Sequence, residues 1–381
     1  MRLRIVLPLL LPLLMGLPAL LLIGITADQA ERHLDGDARS NLLLAGETVI
    51  VKARSFLEGA AFAAEVNASL FEELAGAPDF LPTFDRTTRQ EMSRHPQLAL
   101  VYIGDEGGNH WLNKREADGN IRTRVIERLA DSASDRQALE RAASLPQTNT
   151  VEKEAVARLL APILRTTWYA AGDKRQPLVA EVDPLKVYDP RLRPWYAGAR
   201  QAKHLTWSAV YSWEEKYLGK TRQQVGSTVS VPVMKEGKLL GVAGVDVTLE
   251  AISGFLRQVE VGSHGRAFLF DHQGLAVALP DQGDLLREAV DPAMPGVRRS
   301  VGEGGDPIII GAFAALTQSL GTPPGQPLPL GEKRVLSFLL DGEPHLCLFQ
   351  PFTPESGLDW IIGTAVPESD FQGEASRALG W

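Results

Sequence analysis

A single cysteine in 381 residues excludes an internal disulfide, so no covalent link beyond the backbone constrains this chain. That residue, Cys347, lies in the apolar run Leu346-Cys347-Leu348-Phe349, where a free thiol is expected to be buried and inert. Histidine is also scarce. The seven are dispersed, with no HExxH or other close ligand pair, so no metal centre is expected. No GxSxG elbow is present. The stretch Val301-Gly302-Glu303-Gly304-Gly305-Asp306 lacks the strand-then-helix context of a phosphate loop and reads as a flexible turn. Asp189 and Asp246 could be imagined as a hydrolytic carboxylate pair, but Pro190 and Arg191 crowd the first. Catalysis and cofactors are therefore not expected. Basic residues number 39 against 47 acidic ones, for a net charge of −8, and they are scattered. That excludes the clustered footprint of a nucleic-acid binder.

Long hydrophobic runs are rare too: there is one. Met1-Arg2-Leu3-Arg4 precedes an uncharged apolar stretch, Ile5 to Thr26, whose length as a helix is roughly 33 Å, enough for a bilayer core. Pro8, Pro12 and Pro18 would be costly in a soluble helix and are better tolerated in a membrane one. Arg2 and Arg4 place the N-terminus in the cytoplasm and everything after Asp28 outside. The expectation is a single-pass inner-membrane anchor over 1–27 with a periplasmic or otherwise extracytoplasmic body. The competing reading is a signal peptide cleaved near Ala27, although the run is long for one and Ile25 suits the −3 position poorly.

From Leu42 an apolar stripe steps by three or four through Ala45, Val49, Ala53, Phe56, Ala60, Ala63, Asn67, Leu70 and Leu74. It predicts a long helix over 28–77, ended by Gly76-Ala77-Pro78, that packs on its own domain, pairs with a second copy as a homodimer, or does both. Strand patterns follow. Leu98–Ile103 and Trp111-Leu112 flank a glycine turn, and Ser227–Met234 and Leu239–Val247 flank Lys235-Glu236-Gly237-Lys238. Residues 127–163 read as helices, and so do Thr248–Val259. The pattern then restarts with hairpins at 267–278 and 335–349 and a last strand at 359–366. The expected fold class is α+β: two tandem lobes, each with an antiparallel sheet, at 78–250 and 262–371, joined by 251–261 and followed by a tail at 372–381.

The most distinctive segment is Tyr188-Asp189-Pro190-Arg191-Leu192-Arg193-Pro194-Trp195-Tyr196. Its prolines stiffen the loop, its arginines offer donor forks for a carboxylate, and its aromatics supply apolar walls with polar tips. Trp207, Tyr211 and Trp213 follow. Asp246 stands alone in a strand of Val, Gly and Ala, where a carboxylate needs a partner. Two readings stay open on the residues alone: a pocket for a zwitterion, or a structural loop with Arg193 paired to Asp189 or Asp246.

The order Tyr188, Arg193, Trp195, Tyr196, Tyr211, Asp246 resembles the amino-acid-binding motif of double Cache sensors. Those are tandem PAS-like input domains of bacterial chemoreceptors, sensor kinases and cyclases. The resemblance implies an N-terminal transmembrane helix, a long stalk helix and two PAS-like lobes, with the ligand in the membrane-distal one. It implies that Arg193 and Trp195 hold a ligand carboxylate, and that Asp246, helped by Tyr188, Tyr196 or Tyr211, takes the ammonium of an α-amino acid. One departure stands out: Trp213 occupies a position where many relatives carry an acid. The charged insertion between Trp213 and Val225 is expected to reshape the pocket lid. Relatives continue into a second transmembrane helix and an output domain, so either a fragment or a receptor without output is expected. Alternatives are a sensor for an amine or small carboxylate, or a secreted solute-binding protein released by signal cleavage.

Overall fold

The computed structural model describes residues 3–116, 118–128, 137, 164–169, 177–181, 188–217, 220–286, 297–323, 325–353 and 357–371, with residues 3–35 as backbone only. It begins with one helix, α1 (Leu3–Leu74), roughly 110 Å long at the standard rise. Among the described residues no helix is long and apolar enough to cross a membrane. The Ile5–Thr26 run belongs to the part of α1 given as backbone alone. From Ala38 onward one face is buried through Leu42, Val49, Ala53, Leu57, Ala60, Ala64, Ala68 and Phe71. The small residues of this face let the helix lie close along both sheets. Leu44, Val51 and Phe62 on the same helix are exposed.

A second helix, α2 (Phe80–Arg94), went unpredicted. It packs its Phe80, Phe84, Thr88 and Met92 inward. Two antiparallel sheets follow. The first is built from β1 (Leu98–Asp105), β2 (His110–Arg115), β3 (Ile121–Arg128), β4 (Leu164–Tyr169), β5 (Pro177–Glu181), β6 (Thr206–Trp207), β7 (Tyr211–Tyr217), β8 (Lys220–Lys235) and β9 (Lys238–Thr248). Its order is β5-β4-β3-β2-β1-β9-β8-β6, with β7 also paired to β8. Of the helices expected over 127–163, Gln137 is helical, Glu127 and Arg128 instead end β3, and the rest lies outside the described residues. The insertion after Trp213 is a regular hairpin, in which Trp213 opposes Gln224 and Glu215 opposes Arg222. Between β5 and β6 lies α3 (Pro194–Ala202), and after β9 comes α4 (Leu249–Leu256), capped by the Thr248 hydroxyl.

The second sheet holds β10 (Arg266–Asp271), β11 (Ala276–Ala278), β12 (Arg334–Leu340), β13 (Glu343–Phe352) and β14 (Trp360–Pro367), in the order β11-β10-β14-β13-β12. Its covering helix, α5 (Pro307–Leu320), was also missed. Asp306, read as the end of a flexible turn, caps it through the backbone N–H groups of Ile308 and Ile309, and Pro307 fills the first helical position. Cys347 is buried in β13, and burial pushes its thiol up to about 12. The architecture is α+β, with two antiparallel sheets laid along one N-terminal helix.

Candidate functional site

Directly opposed residues of an antiparallel pair share a face of the sheet. Across the first sheet, Arg124 opposes Leu112, Leu112 opposes Tyr102, Tyr102 opposes Gly244, and Gly244 opposes Ser230. Asp246 opposes Thr228, and Tyr211 opposes Gly226. One face therefore carries Arg124, Tyr102, Asp246, Thr228 and Tyr211. The other carries Val101, Ile103, Val229, Val245 and Val247, buried in the apolar core with α1. The alternation of polar and apolar residues along β9 thus separates a chemical face from a packing face.

The loop and helix covering the chemical face are built by local rules. Asp189 accepts from the Arg191 backbone N–H at 2.9 Å and caps a 3-10 turn over Pro190–Leu192. Its carboxylate also receives the Arg191 guanidinium at 2.7 Å and lies 3.9 Å from Arg128. Arg191 reaches on to the Glu106 carbonyl at 3.0 Å, which pins the loop to the β1–β2 turn. Asp189 is thus occupied by Arg191, not by Arg193. Arg193 is the extended residue before α3, and Pro194 opens that helix.

Asp246 is buried and accepts hydrogen bonds from the Tyr102 hydroxyl at 2.6 Å and from the Thr228 hydroxyl. Tyr211 lies 2.7 Å from Thr228 Oγ1. With the Thr228 proton given to Asp246, Tyr211 donates to Thr228 and joins the carboxylate through it. Burial and the Asp246 charge raise the phenols of both Tyr102 and Tyr211, which stay protonated donors. Tyr188 accepts from the Trp195 indole N–H at 3.3 Å, and the Arg193 guanidinium carbon lies 5.6 Å from its ring centre. Trp195 in turn lies 4.7 Å from the Tyr102 ring.

Five of the six predicted residues thus form one connected group: Tyr188, Arg193 and Trp195 at one end, and Tyr211 and Asp246 at the other, bridged by Tyr102. Tyr196 is different. It is fully buried and gives its hydroxyl to Glu106 at 2.7 Å, so its polar tip is spent beside Asp105 and Arg191.

Several residues of the same face were not anticipated. Tyr102 and Thr228 hold Asp246 directly. His110 is buried, and both its ring nitrogens lack a hydrogen-bond partner among the described residues. Its ring lies 4.6 Å from that of Tyr188 and 5.4 Å from that of Tyr102. The guanidinium carbon of Arg124 lies 5.2 Å from the Tyr188 ring centre and 5.6 Å from that of Trp168. Arg124 Nε, Trp213 Nε1 and Ser230 Oγ are buried and unpartnered as well. Tyr188 and Arg124 are half-buried. The hairpin rule could have found His110, since the Gly104–Gly108 turn sets it opposite Gly104.

Residues 161–254 match the family described as the first PDC sensor domain of methyl-accepting-chemotaxis-protein-like receptors. This part of the chain is similar to PDC-type sensor domains, in keeping with the double Cache resemblance of its motif. Among curated relatives, it is 33% identical to the methyl-accepting chemotaxis protein McpA of Pseudomonas putida over 47% of this chain and 22% of that protein. It is 26% identical to PctB of Pseudomonas aeruginosa over 47% of this chain and 23% of that protein. The alignments thus span under a quarter of the length of those two relatives. The solved ligand-binding domain of PctB, in complex with L-Arg, aligns over 88% of this chain and 97% of that one at 18% identity, with a TM-score of 0.46.

Proposed function

We propose that this chain is the extracytoplasmic sensing part of a membrane receptor, and that its first lobe, distal to the membrane, binds a free α-amino acid. The observation that carries the proposal is the pairing of opposite charges across one sheet face. Asp246, oriented by Tyr102 and Thr228, stands at one end, while the Arg193 guanidinium, stacked on Tyr188, makes no hydrogen bond or ion pair among the described residues at the other. Charges of opposite sign at the two ends of one site select a ligand carrying both, because one lacking either leaves a charge poorly answered. In this reading a ligand carboxylate takes the Arg193 fork and the Trp195 indole N–H, displacing the latter from Tyr188. The ammonium docks on Asp246 and the Tyr211 side. Tyr196 contributes by fixing α3 through Glu106, not by touching the ligand.

The apolar run Ile5–Thr26 is proposed as the anchor and α1 as the stalk that carries lobe movement to it. Transmission requires that ligand-bound and free states differ in lobe closure or helix position. Leu44, Val51 and Phe62 are the surface on which two stalks would pair.

The test is a thermal-shift series on the full chain in detergent with amino acids, amines and organic acids, since ligands of the native state raise its melting temperature. Stabilisation by amino acids that disappears in both Arg193→Ala and Asp246→Ala supports the proposal. Equal stabilisation by simple amines or by simple carboxylates sinks it.

A further inference from the structure

Once the α-carboxylate is assigned to Arg193 and Trp195 and the ammonium to Asp246, the group under Tyr188 still has two polar side chains without a task. Both His110 nitrogens are buried and unpartnered, and so is Arg124 Nε. Native proteins leave few such atoms, and a cluster of them on one face calls for something that fills it. Arg124 and Arg193 both approach the Tyr188 ring, at 5.2 and 5.6 Å, so the two guanidiniums flank a single phenol. Among the described residues, the ionic group bearing on Arg124, apart from the Tyr188 phenol, is a second cation, Arg193, and no carboxylate. This corner therefore carries two positive charges and only hydrogen-bond donors on its arginines.

We infer that Arg124 and His110 form the subsite for the ligand's side chain and that this subsite takes a carboxylate, so the preferred ligands are α-amino acids with acidic side chains. The inference rests on the amino-acid reading of the same lobe. A side-chain carboxylate supplies the acceptors that the Arg124 fork lacks and brings the second negative charge that two guanidiniums require. Burial and the two nearby guanidiniums lower the pKa of His110, which keeps the ring neutral, with one N–H to donate and one nitrogen to accept. A cationic side chain would meet Arg124 with like charge. An apolar one would leave His110 and Arg124 desolvated and unpaired, the most costly mismatch a polar subsite can meet.

The experiment is isothermal titration calorimetry of the full chain in detergent with L-glutamate, L-aspartate, L-glutamine, L-asparagine and L-leucine. The wild type should bind at least one acid about tenfold or more tightly than its own amide. Arg124→Gln should weaken the acid about tenfold and leave the amide near its wild-type affinity. Arg124→Lys, which keeps the charge and fills the site, should retain part of the preference. An amide that binds as tightly as its acid, or an Arg124→Gln variant that weakens both alike, overturns the inference and leaves the amino-acid reading in place. That reading fails separately if Arg193→Ala and Asp246→Ala bind all five ligands as the wild type does.

Discussion

In the first lobe Tyr102 of β1 lies across Gly244 of β9. In the second, Phe268 of β10 lies across Gly363 of β14. The fit is equally tight in both: a Cβ on Gly244 would fall 2.3 Å from the tyrosine ring, and one on Gly363 would fall 2.4 Å from the phenylalanine ring. Two residues beyond each glycine stand Asp246 and Ala365, both buried. A helix covers each face, with Trp195 of α3 at 4.7 Å from Tyr102 and Phe313 of α5 at 5.6 Å from Phe270. The two lobes thus share an interlock of aromatic ring and glycine, and they differ by a hydroxyl and a carboxylate.

The energetic consequence runs in opposite directions. Each phenylalanine buried in the second lobe is worth about 1.5–3 kcal/mol, whereas each unpartnered polar group buried in the first costs about 1–3 kcal/mol. Both lobes bury such groups, but the first gathers His110, Arg124, Trp213 and Ser230 on the face that a ligand would meet.

That contrast can be broken most forcefully at Phe268. Phe268→Ala should cost about 3–5 kcal/mol in urea denaturation, as expected for a large cavity in a closed core. A loss under about 1 kcal/mol would mean that the second lobe is not the rigid member of the pair. Next comes an exchange of the distinguishing residues. Ala365→Asp puts a buried carboxylate directly opposite Cys347 and Arg266, on the face that also carries Phe268 and Phe349, and should cost about 1–3 kcal/mol. Asp246→Ala should leave the free protein about as stable as before while abolishing its response to amino acids. If both substitutions cost the same, the carboxylate is a structural member of the first lobe and not a recognition group. A finer probe is Tyr102→Phe, which makes the first lobe resemble the second at its centre. Stability should change by only about 1 kcal/mol, but calorimetry should show amino-acid affinity about tenfold weaker, because Asp246 loses one of its orienting donors.

A separate effect concerns pH and centres on the first lobe. Burial raises the Glu91 carboxyl of α2 from 4.5 to about 7, opposed by its hydrogen bond from Asn67 of α1 at 2.8 Å. A carboxyl raised in the folded state binds more protons there than in the unfolded chain. Its contribution is present below about 4.5 and is lost as pH rises toward 7. The melting temperature of the first lobe should therefore drift downward between those values, and Glu91→Gln should flatten the drift. An unchanged slope in that variant would assign the pH dependence elsewhere.

Much of the fold was legible because it is local. The hairpins at 98–112, 227–247, 267–278 and 335–349 each joined alternating apolar residues through a glycine-bearing turn, and all are present. The stripe from Leu42 to Leu74 marked α1, although its buried face also takes in Leu57, Ala64 and Phe71. α2 and α5 escaped because their apolar stripes are short and their caps inconspicuous. Asp306, the best of them, was hidden in a run of glycines. In the motif, Tyr188, Arg193, Trp195, Tyr211 and Asp246 converge, while Tyr196 turns toward Glu106. Asp189 was one of the two carboxylates considered for Arg193, and Arg191, two residues along, claims it.

What the sequence by itself determined is what neighbouring residues decide among themselves: the apolar N-terminal run, the helix and strand periods, the turns, and a proline-stiffened segment that exposes arginine and aromatic side chains in a set order. What only the tertiary structure decided is which distant residues face that segment. Tyr102, His110 and Arg124 precede Arg193 by more than sixty positions, and strand register sets them on the face that segment covers, Tyr102 opposite Leu112 and Gly244, His110 opposite Gly104, and Arg124 opposite Leu112. Register in a sheet is a property of the pairing, since a shift of one residue sends every side chain to the other side. The hairpin turn could place His110 on that face, but no local pattern in β3 could have shown that Arg124 would end up beside the same tyrosine.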